Sequence, residues 1–173
     1  MSKVLIVYGT GTGCTAGIAE RIGAKLTAVG ATVEVVSAKD APAVAGYDAV
    51  LVGSGVRAGS WHKAAKEWVA ANANALKAGA PEAVPVAFFT ACLTMADAEK
   101  ADEVRIYTDA LIAETGVEPV DVGLFAGWNE PKEFPFVERT ILKLMKAPTG
   151  DFRDWDAIDA WTTDVAEKLG LSA

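Results

Sequence analysis

The sequence predicts an α/β domain built on a doubly wound parallel sheet with helices on both faces. Strand-like and helix-like segments alternate along the chain, the pattern of a parallel sheet whose crossovers are helical. The run Val4–Tyr8 is apolar at successive positions, as expected for a strand buried on both faces. It stops at the glycine- and threonine-rich loop Gly9–Thr15, and a helical segment follows at Ala16–Val29. We therefore expect residues 1–173 to form a single α/β domain.

Five strands are predicted in chain order. They cover Val4–Tyr8, Thr32–Val36, Asp48–Gly53, Val84–Thr90 and Val120–Phe125. These are short runs rich in β-branched, aliphatic or aromatic residues, separated by glycine, proline and polar residues. The connection Ser37–Tyr47 is small, polar and contains proline, so it is predicted to hold at most one or two helical turns.

Three further helices are predicted after the first. They cover about Trp61–Leu76, Asp97–Thr115 and Trp155–Leu169. Ser60 is suited to cap the first of them, because its hydroxyl can accept from free N–H groups, and Gly116 is suited to end the second. The segment Trp128–Asp154 contains three prolines and breaks the alternation, so it is predicted to be an insert before the last helix.

Composition limits the classes of function. The chain has 16 basic and 23 acidic side chains and a net charge of −7, which argues against a nucleic-acid partner. No stretch has the apolar length of a transmembrane helix and no signal peptide leads the chain, so a cytoplasmic location is expected. Two cysteines without motif spacing indicate neither a disulfide framework nor a metal site.

The loop Gly9–Thr15 predicts a phosphate site on the first βα turn. A glycine-rich turn before a helix presents free backbone N–H groups at the positive end of the helix dipole, and three threonine hydroxyls add donors.

A P-loop is excluded because no Gly-Lys-Ser/Thr ends the loop. A dinucleotide site is weakened rather than excluded. Gly11–Ala16 matches G-x-G-x-x-A, but the second strand lacks the acidic residue at its end that would bind a ribose.

Two later loops, Ser54–Ser60 and Thr90–Thr94, also leave the carboxyl ends of predicted strands. In an open parallel sheet, ligands bind outside the carboxyl ends of the strands, where the strand order reverses. We therefore expect all three loops to meet at one edge of the sheet and to form one binding site.

The pattern T-x-T-G-x-T at Thr10–Thr15 resembles the phosphate loop of the flavodoxin family, and the resemblance extends over nearly the whole chain. The segments Ser54–His62, Ala87–Thr90 and Phe125–Gly127, followed by a basic helical insert, resemble one branch, the menaquinone-dependent protoporphyrinogen dehydrogenases. The resemblance implies a five-stranded flavodoxin-like sheet of order 2-1-3-4-5, with FMN bound at the switch point.

The resemblance also implies which residues contact FMN. The phosphate would be held by Thr10, Gly11, Thr12, Gly13, Cys14 and Thr15. The isoalloxazine ring would be held from two sides by Ser54, Gly55, Val56, Arg57, Gly59, Thr90, Ala91, Cys92 and Leu93. Flavodoxins usually place an aromatic side chain against the ring from each ring loop. Here Val56, Arg57 and Leu93 stand there, with Trp61 and Trp128 nearby, so the stacking partner is left open.

Four side chains near these loops have a functional and a structural interpretation. A guanidinium at Arg57 could stabilise reduced flavin and raise its potential, or be a surface charge. Cys14 and Cys92 are interpreted as small apolar residues that fill space in the packing. Cys14 at a helix N-terminus could instead have a lowered pKa and be reactive. His62 in a first helical turn could act in acid–base chemistry, but a surface role is favoured.

The insert Trp128–Asp154 has an amphipathic basic run. Arg139, Lys143 and Lys146 fall on one helical face, while Ile141, Leu142 and Met145 line another, with Phe134 and Phe136 before them. In an acidic chain this run could make weak peripheral contact, through residues 134–146, with the inner face of a membrane, or meet a redox partner. The alternative is that it packs over the sheet edge with its lysines solvated.

These features together predict an FMN-dependent oxidoreductase. The resemblance implies oxidation of protoporphyrinogen IX with a quinone as electron acceptor. The alternative is an electron carrier of the flavodoxin type, which needs only an exposed flavin edge and a charged rim for redox partner proteins. A flavodoxin-like fold that has lost FMN and serves as a binding module is a third hypothesis, and the intact threonine set argues against it.

Overall fold

Five long strands form the central sheet of the computed structural model, which describes residues 1–171. The strands are β1 (Lys3–Gly9), β2 (Thr32–Ser37), β3 (Ala49–Arg57), β4 (Ser60–Trp61), β5 (Val86–Cys92), β6 (Val122–Ala126), β7 (Trp128–Asn129) and β8 (Gly150–Asp151). The long strands run parallel in the order β2-β1-β3-β5-β6, and the short β4 pairs with β3. Counted without β4, this is the order 2-1-3-4-5, so the predicted fold class is confirmed.

Strand β1 is hydrogen-bonded on both sides, to β2 and to β3, and is buried on both faces. The residues from Val4 to Val7 are all 0% exposed. Successive side chains point to opposite faces of a strand, so Val4 and Ile6 join one core while Leu5 and Val7 join the other. The sequence-based expectation of a strand buried on both faces is correct.

Two pairs of helices cover the sheet. The described helices are α1 (Cys14–Ala28), α2 (Lys63–Leu76), α3 (Ala101–Thr115), α4 (Phe136–Leu144) and α5 (Trp155–Lys168). α1 packs with α5 over one face, and α2 packs with α3 over the other. The connection from β2 to β3 holds one 3-10 turn, Ala38–Asp40, as the weak helical signal there predicted. None of the helices within residues 1–171 has the length and apolarity needed to cross a bilayer.

The prediction that Ser60 caps α2 is wrong, because Ser60 belongs to a tight hairpin instead. Ser60 pairs with Arg57 where β3 turns back into β4. Ala58 and Gly59 form the two-residue turn, with φ of 49° and 73°. Positive φ at both positions is what a type I′ hairpin requires, and such a turn matches the natural twist of two strands. The hairpin therefore delays the start of α2.

Two helices begin later than predicted. At α2 the capping residue is His62, whose Nδ1 accepts a hydrogen bond from the Ala64 N–H at 3.3 Å. α3 begins at Ala101 rather than at Asp97, because Asp97 caps a separate 3-10 turn first. The predicted end of α3 is confirmed, since Gly116 follows it with φ of 68°.

The insert before α5 is closed at its neck by two short strands. β7 and β8 pair antiparallel, with Trp128 opposite Asp151, and α4 lies in the loop between them. The side chain of Asn129 is buried, and its Nδ2 donates to the Pro148 carbonyl at 2.8 Å, which holds the two ends of the loop together. The neck therefore fixes where the insert leaves the sheet edge.

A buried polar cluster joins β4, β5 and α3. Trp61 Nε1 donates to Thr90 Oγ1 at 2.9 Å, and that oxygen lies 2.7 Å from Thr108 Oγ1. Both threonines are 0% exposed and Trp61 is 3% exposed, so no water can replace these partners. The cluster holds the β3–β4 hairpin against the sheet.

We expect Thr90→Val to lower the free energy of unfolding by about 1–3 kcal/mol, since it leaves an indole N–H and a hydroxyl buried without their partner. Urea denaturation of wild type and variant measures this difference. Thr163→Val is the matched control, because Thr163 is exposed on α5 and bonds only its own helix. Equal effects of the two substitutions would show that the cluster does not stabilise the fold.

Candidate functional site

The three predicted loops meet at the carboxyl edge of the sheet and line one cavity. The predicted residues on its wall are Thr10, Gly11, Thr12, Cys14, Thr15, Gly55, Val56, Arg57, Ala91, Leu93 and Trp128. Four more residues complete the wall: His62, Gly127, Phe134 and Leu142. The convergence of the loops that follow β1, β3 and β5 is what the parallel topology requires.

Five predicted site residues lie off the cavity wall: Gly13, Ser54, Gly59, Thr90 and Cys92. The Ser54 side chain is 0% exposed, and its hydroxyl accepts from the His62 N–H at 2.8 Å, so it supports the loop from behind. Thr90 is used by the buried cluster with Trp61. Gly59 forms the hairpin turn. The side chains of Ser54 and Thr90 are therefore engaged away from the cavity.

Gly13 sets the shape of the loop after β1. It caps α1 in the left-handed conformation, with φ of 89°, and its N–H donates to Thr10 Oγ1 at 2.9 Å. α1 begins at the next residue, so the N–H groups of its first turn have no acceptor within the helix. Cys14 and Thr15 of this first turn line the cavity, and the positive end of the helix dipole there favours an anion.

Two threonine hydroxyls of this loop lie on residues of the cavity wall and already act as acceptors within the protein. A hydroxyl has one hydrogen, and its oxygen accepts from other groups. Thr10 Oγ1 already accepts from Gly13, and Thr12 Oγ1 accepts from Trp128 Nε1 at 3.0 Å. Their hydrogens therefore remain available to a ligand. Among the residues of 1–171 that line the cavity, none is acidic, which suits an anionic ligand.

Arg57 links the cavity to the insert. Its guanidinium forms an ion pair with Glu138 of α4 and lies against Gly11, where an added Cβ would stand 2.5 Å from Arg57 Nη1. The interpretation as a simple surface charge is therefore incomplete, since the side chain lies on the cavity wall and contacts two elements. Glu138 compensates its charge, which reduces the field that Arg57 can exert on a ligand.

The surroundings of Cys14 do not lower the pKa of its thiol. Burial raises the pKa of Cys14 above its ordinary value and outweighs the nearby Arg153 guanidinium, which acts to lower it. The possibility of a lowered pKa at this helix N-terminus is therefore overturned, and the apolar-filler interpretation stands. In the described range 1–171, no cluster of three or more His, Cys, Asp or Glu could hold a metal ion.

His62 lies on the cavity wall rather than at a remote surface. Burial, followed by the charges of Lys39 and Arg57, lowers the pKa of His62, so the neutral imidazole is favoured near neutral pH. Because Nδ1 accepts the capping bond from Ala64, the hydrogen of the neutral ring is on Nε2. His62 is thus suited to donate a hydrogen bond to a ligand.

The two candidate tryptophans have different places. Trp61 is buried in the core, edge-on to Phe88 with ring centroids 5.5 Å apart, so it cannot contact a ligand in the cavity. Trp128 covers the loop after β1, and a Cβ added at Gly13 would lie 3.8 Å from its Cζ2. The aromatic wall of the site therefore lies at the loop after β1 and comes from β7.

The insert presents apolar residues in two directions. Phe134 and Leu142 line the cavity, whereas the largest outward side chains, between 48% and 79% exposed, are Phe136, Val137, Ile141, Leu144 and Met145. The sequence pattern grouped Leu142 with Ile141 and Met145, but the helix directs Leu142 inward. The distance of the insert from the sheet edge decides whether Leu142 faces inward, and the sequence pattern does not contain that distance.

Comparison with known proteins agrees with this geometry. A family model described as Flavodoxin domain matches residues 5–156. The chain is 27% identical over 177 residues to protoporphyrinogen IX dehydrogenase (quinone) of Leishmania major, over 95% of this chain and 74% of that protein. It is 24% identical over 176 residues to the Escherichia coli K12 protein of the same name, over 95% of this chain and 94% of that protein.

A solved structure, oxidised flavodoxin 1 from Bacillus cereus, is similar with a TM-score of 0.60 at 15% identity, over 96% of this chain and 98% of that chain. At such identity the likeness concerns the fold, and it matches the observed sheet order. The family model spans most of the chain. The chain therefore belongs to the flavodoxin domain family, whose cofactor is FMN.

Proposed function

We propose that this chain holds the FMN phosphate in the loop after β1, at the N-terminus of α1. The contacting residues are Thr10, Gly11, Thr12, Gly13, Cys14 and Thr15. Support comes from the free N–H groups of the first turn, from two hydroxyls whose hydrogens remain available, and from a cavity wall without acidic side chains in the described residues. A phosphate has several acceptor oxygens and no strong donor, so this donor set fits it.

The rest of the cavity suits a flat apolar ring. Val56 and Leu93 offer aliphatic surfaces from two loops, and the small residues Gly55 and Ala91 leave room between them. Trp128 serves the phosphate end, so the ring is held mainly by aliphatic contacts rather than by aromatic stacking. Neutral His62, with its Nε2 hydrogen, is placed to donate to a polar edge of the ring or substrate.

The proposed reaction is removal of hydrogen from a porphyrinogen, with a quinone as electron acceptor. Electron exchange with both is the chemistry of the flavin. The observation that favours an enzyme is the apolar wall of Phe134 and Leu142, by which the insert gives an organic substrate a surface beside the ring loops. The two similar proteins with the name protoporphyrinogen IX dehydrogenase (quinone) support the same substrate class.

An electron carrier is the second candidate function. Beside the cavity an open groove has charged sides that include Arg57, Lys63, Lys66, Glu67 and Glu114. A charged rim next to the cofactor is the feature a carrier needs for docking on larger redox proteins. The groove favours the carrier function only if the insert does not form part of a binding site for a small substrate.

The outward face of α4 is proposed to touch an anionic lipid surface. Its exposed apolar side chains are accompanied by Arg139, Lys143 and Lys146, while Glu138 is engaged by Arg57. In a chain of net charge −7, this is a local basic and apolar surface. Contact there would be weak and reversible, and it would bring the cavity near a quinone dissolved in the bilayer.

Removal of one phosphate donor tests the cofactor site. We expect Thr12→Val to weaken FMN binding about 10- to 100-fold, as for a hydrogen bond to a charged group, and to leave riboflavin binding unchanged. Quenching of flavin fluorescence measures both affinities, with Thr163→Val as control. A wild-type protein that is purified colourless and fails to quench FMN would refute the cofactor proposal altogether.

Shortening a side chain on the cavity wall tests whether the chain is an enzyme or an electron carrier. We expect Leu142→Ala to lower kcat/KM roughly tenfold, either for reduction of the flavin by protoporphyrinogen or for its reoxidation by a quinone. FMN should remain bound to the variant. The matched control is Leu144→Ala on the outward face, where the side chain is 77% exposed. Anaerobic mixing followed by flavin absorbance gives both rates. Flavin reduction by a reductase protein only, with no reaction of porphyrinogen, would identify the chain as a carrier.

The lowered pKa of His62 predicts a pH dependence of stability. The unfolded chain takes up the imidazole proton near the ordinary pKa of 6.5, before the folded chain does. The free energy of unfolding should therefore fall as the pH decreases from above 6.5 toward the lowered folded pKa. Urea denaturation between about pH 5.5 and 8 measures the slope.

His62 is the only histidine of the sequence, so His62→Asn, which keeps a capping side chain, should flatten this part of the profile. Persistence of the same slope in the variant would assign it to other groups and would show that His62 is not held neutral by its surroundings.

A further inference from the structure

Arg153 is a nearly buried cation outside the cavity wall, with a side chain that is 10% exposed. Its guanidinium lies between two indole rings, 4.4 Å from the centroid of Trp128 and 4.6 Å from that of Trp155. Nε and Nη2 donate to the two carboxylate oxygens of Asp151, at 2.9 Å and 2.6 Å. Two aromatic faces and a two-point carboxylate contact allow the guanidinium one orientation.

The same guanidinium is anchored to the first turn of α1. Arg153 Nη1 donates to the Cys14 carbonyl at 3.4 Å. An added Cβ at Gly17 would stand 2.6 Å from Nη1, so the absence of a side chain there lets the guanidinium reach the helix. These contacts fix the neck of the insert to α1, the helix whose N-terminus lies at the cavity.

Trp128 transmits this anchoring to the phosphate loop. One face of its ring lies against Arg153, and its Nε1 donates to Thr12 Oγ1 at 3.0 Å. That bond occupies the acceptor side of the Thr12 hydroxyl and leaves its hydrogen for a ligand. The orientation of the Thr12 donor therefore depends on where the indole is held.

We propose that Arg153 is a positioning residue for cofactor phosphate recognition, acting through Trp128 on Thr12. The proposal rests on the proposed phosphate site in the loop after β1. Asp151 compensates the charge of Arg153, so its part is to orient the indole rather than to attract the anion. Phosphate recognition then requires the folded neck of the insert, although the neck lies outside the loop itself.

The test compares the affinities of each variant for FMN and for riboflavin, which lacks the phosphate. Arg153→Lys keeps the charge and loses the planar two-point contact, and we expect about tenfold weaker FMN binding with riboflavin binding unchanged. Arg21→Lys is the matched control, since Arg21 makes the same two-point contact with Asp159 but is 49% exposed and does not line the cavity.

Gly17→Ala is a second, independent variant. Alanine favours a helix over glycine, so the change does not weaken α1 through its propensity, yet its Cβ displaces the guanidinium. We expect the same selective loss of FMN affinity as in Arg153→Lys. Agreement between a variant that changes Arg153 and one that leaves Arg153 in place without lowering the helix propensity of α1 would exclude a general loss of structure.

Two results overturn the proposal while leaving the cofactor site intact. In the first, wild type binds FMN and Arg153→Lys binds it equally well. In the second, FMN and riboflavin affinities fall together, which would make Arg153 a structural residue without influence on the phosphate. Wild type binding both ligands with equal affinity would instead refute the phosphate site on which the proposal rests.

Discussion

The left-handed turn at Gly13 determines where the parts of the site lie. β1 is enclosed by strands on both sides and helices on both faces, so the chain can leave it only at the carboxyl edge of the sheet. A φ of 89° at Gly13 lets α1 start at once, with its free N–H groups at that edge. A residue with a Cβ would disfavour this conformation by about 1–2 kcal/mol. The loops after β3 and β5 end at the same edge, because parallel strands share one direction.

Both guanidiniums near the cavity are compensated by carboxylates, Arg57 by Glu138 and Arg153 by Asp151. In the proposed site, recognition of the phosphate would therefore fall on neutral donors. An overall charge of −7 offers no long-range attraction for an anion either. The directions of the Thr10 and Thr12 hydroxyls would then decide whether a phosphate binds there. Hydroxyls turned the wrong way would present lone pairs to the phosphate oxygens.

Local patterns and the rules of parallel sheets predicted the loop after β1 and the convergence of three loops, whereas the sheet order was predicted from the resemblance to the flavodoxin family. The sequence misplaced the start of α2 and grouped Thr90 and Trp61 with the ligand site. The start of α2 depends on the hairpin turn at Ala58 and Gly59. The positions of Thr90 and Trp61 depend on one nonlocal bond, from Trp61 Nε1 to Thr90 Oγ1, which no spacing reveals. Arg153 was missed for the same reason. Its partners Trp128 and Cys14 are distant in the chain and meet only when the insert neck closes.

The insert is attached to the cavity at two places. The Arg57–Glu138 ion pair joins α4 to the loop after β3, and the bond from Trp128 to Thr12 joins the neck to the loop after β1. A segment held only at its neck could swing away and leave an open flavin edge, as a carrier requires. Two attachments instead keep Leu142 on the cavity wall. The insert then limits access to the cavity, so under the proposed enzymatic function the reductant would have to enter a cavity with an apolar side.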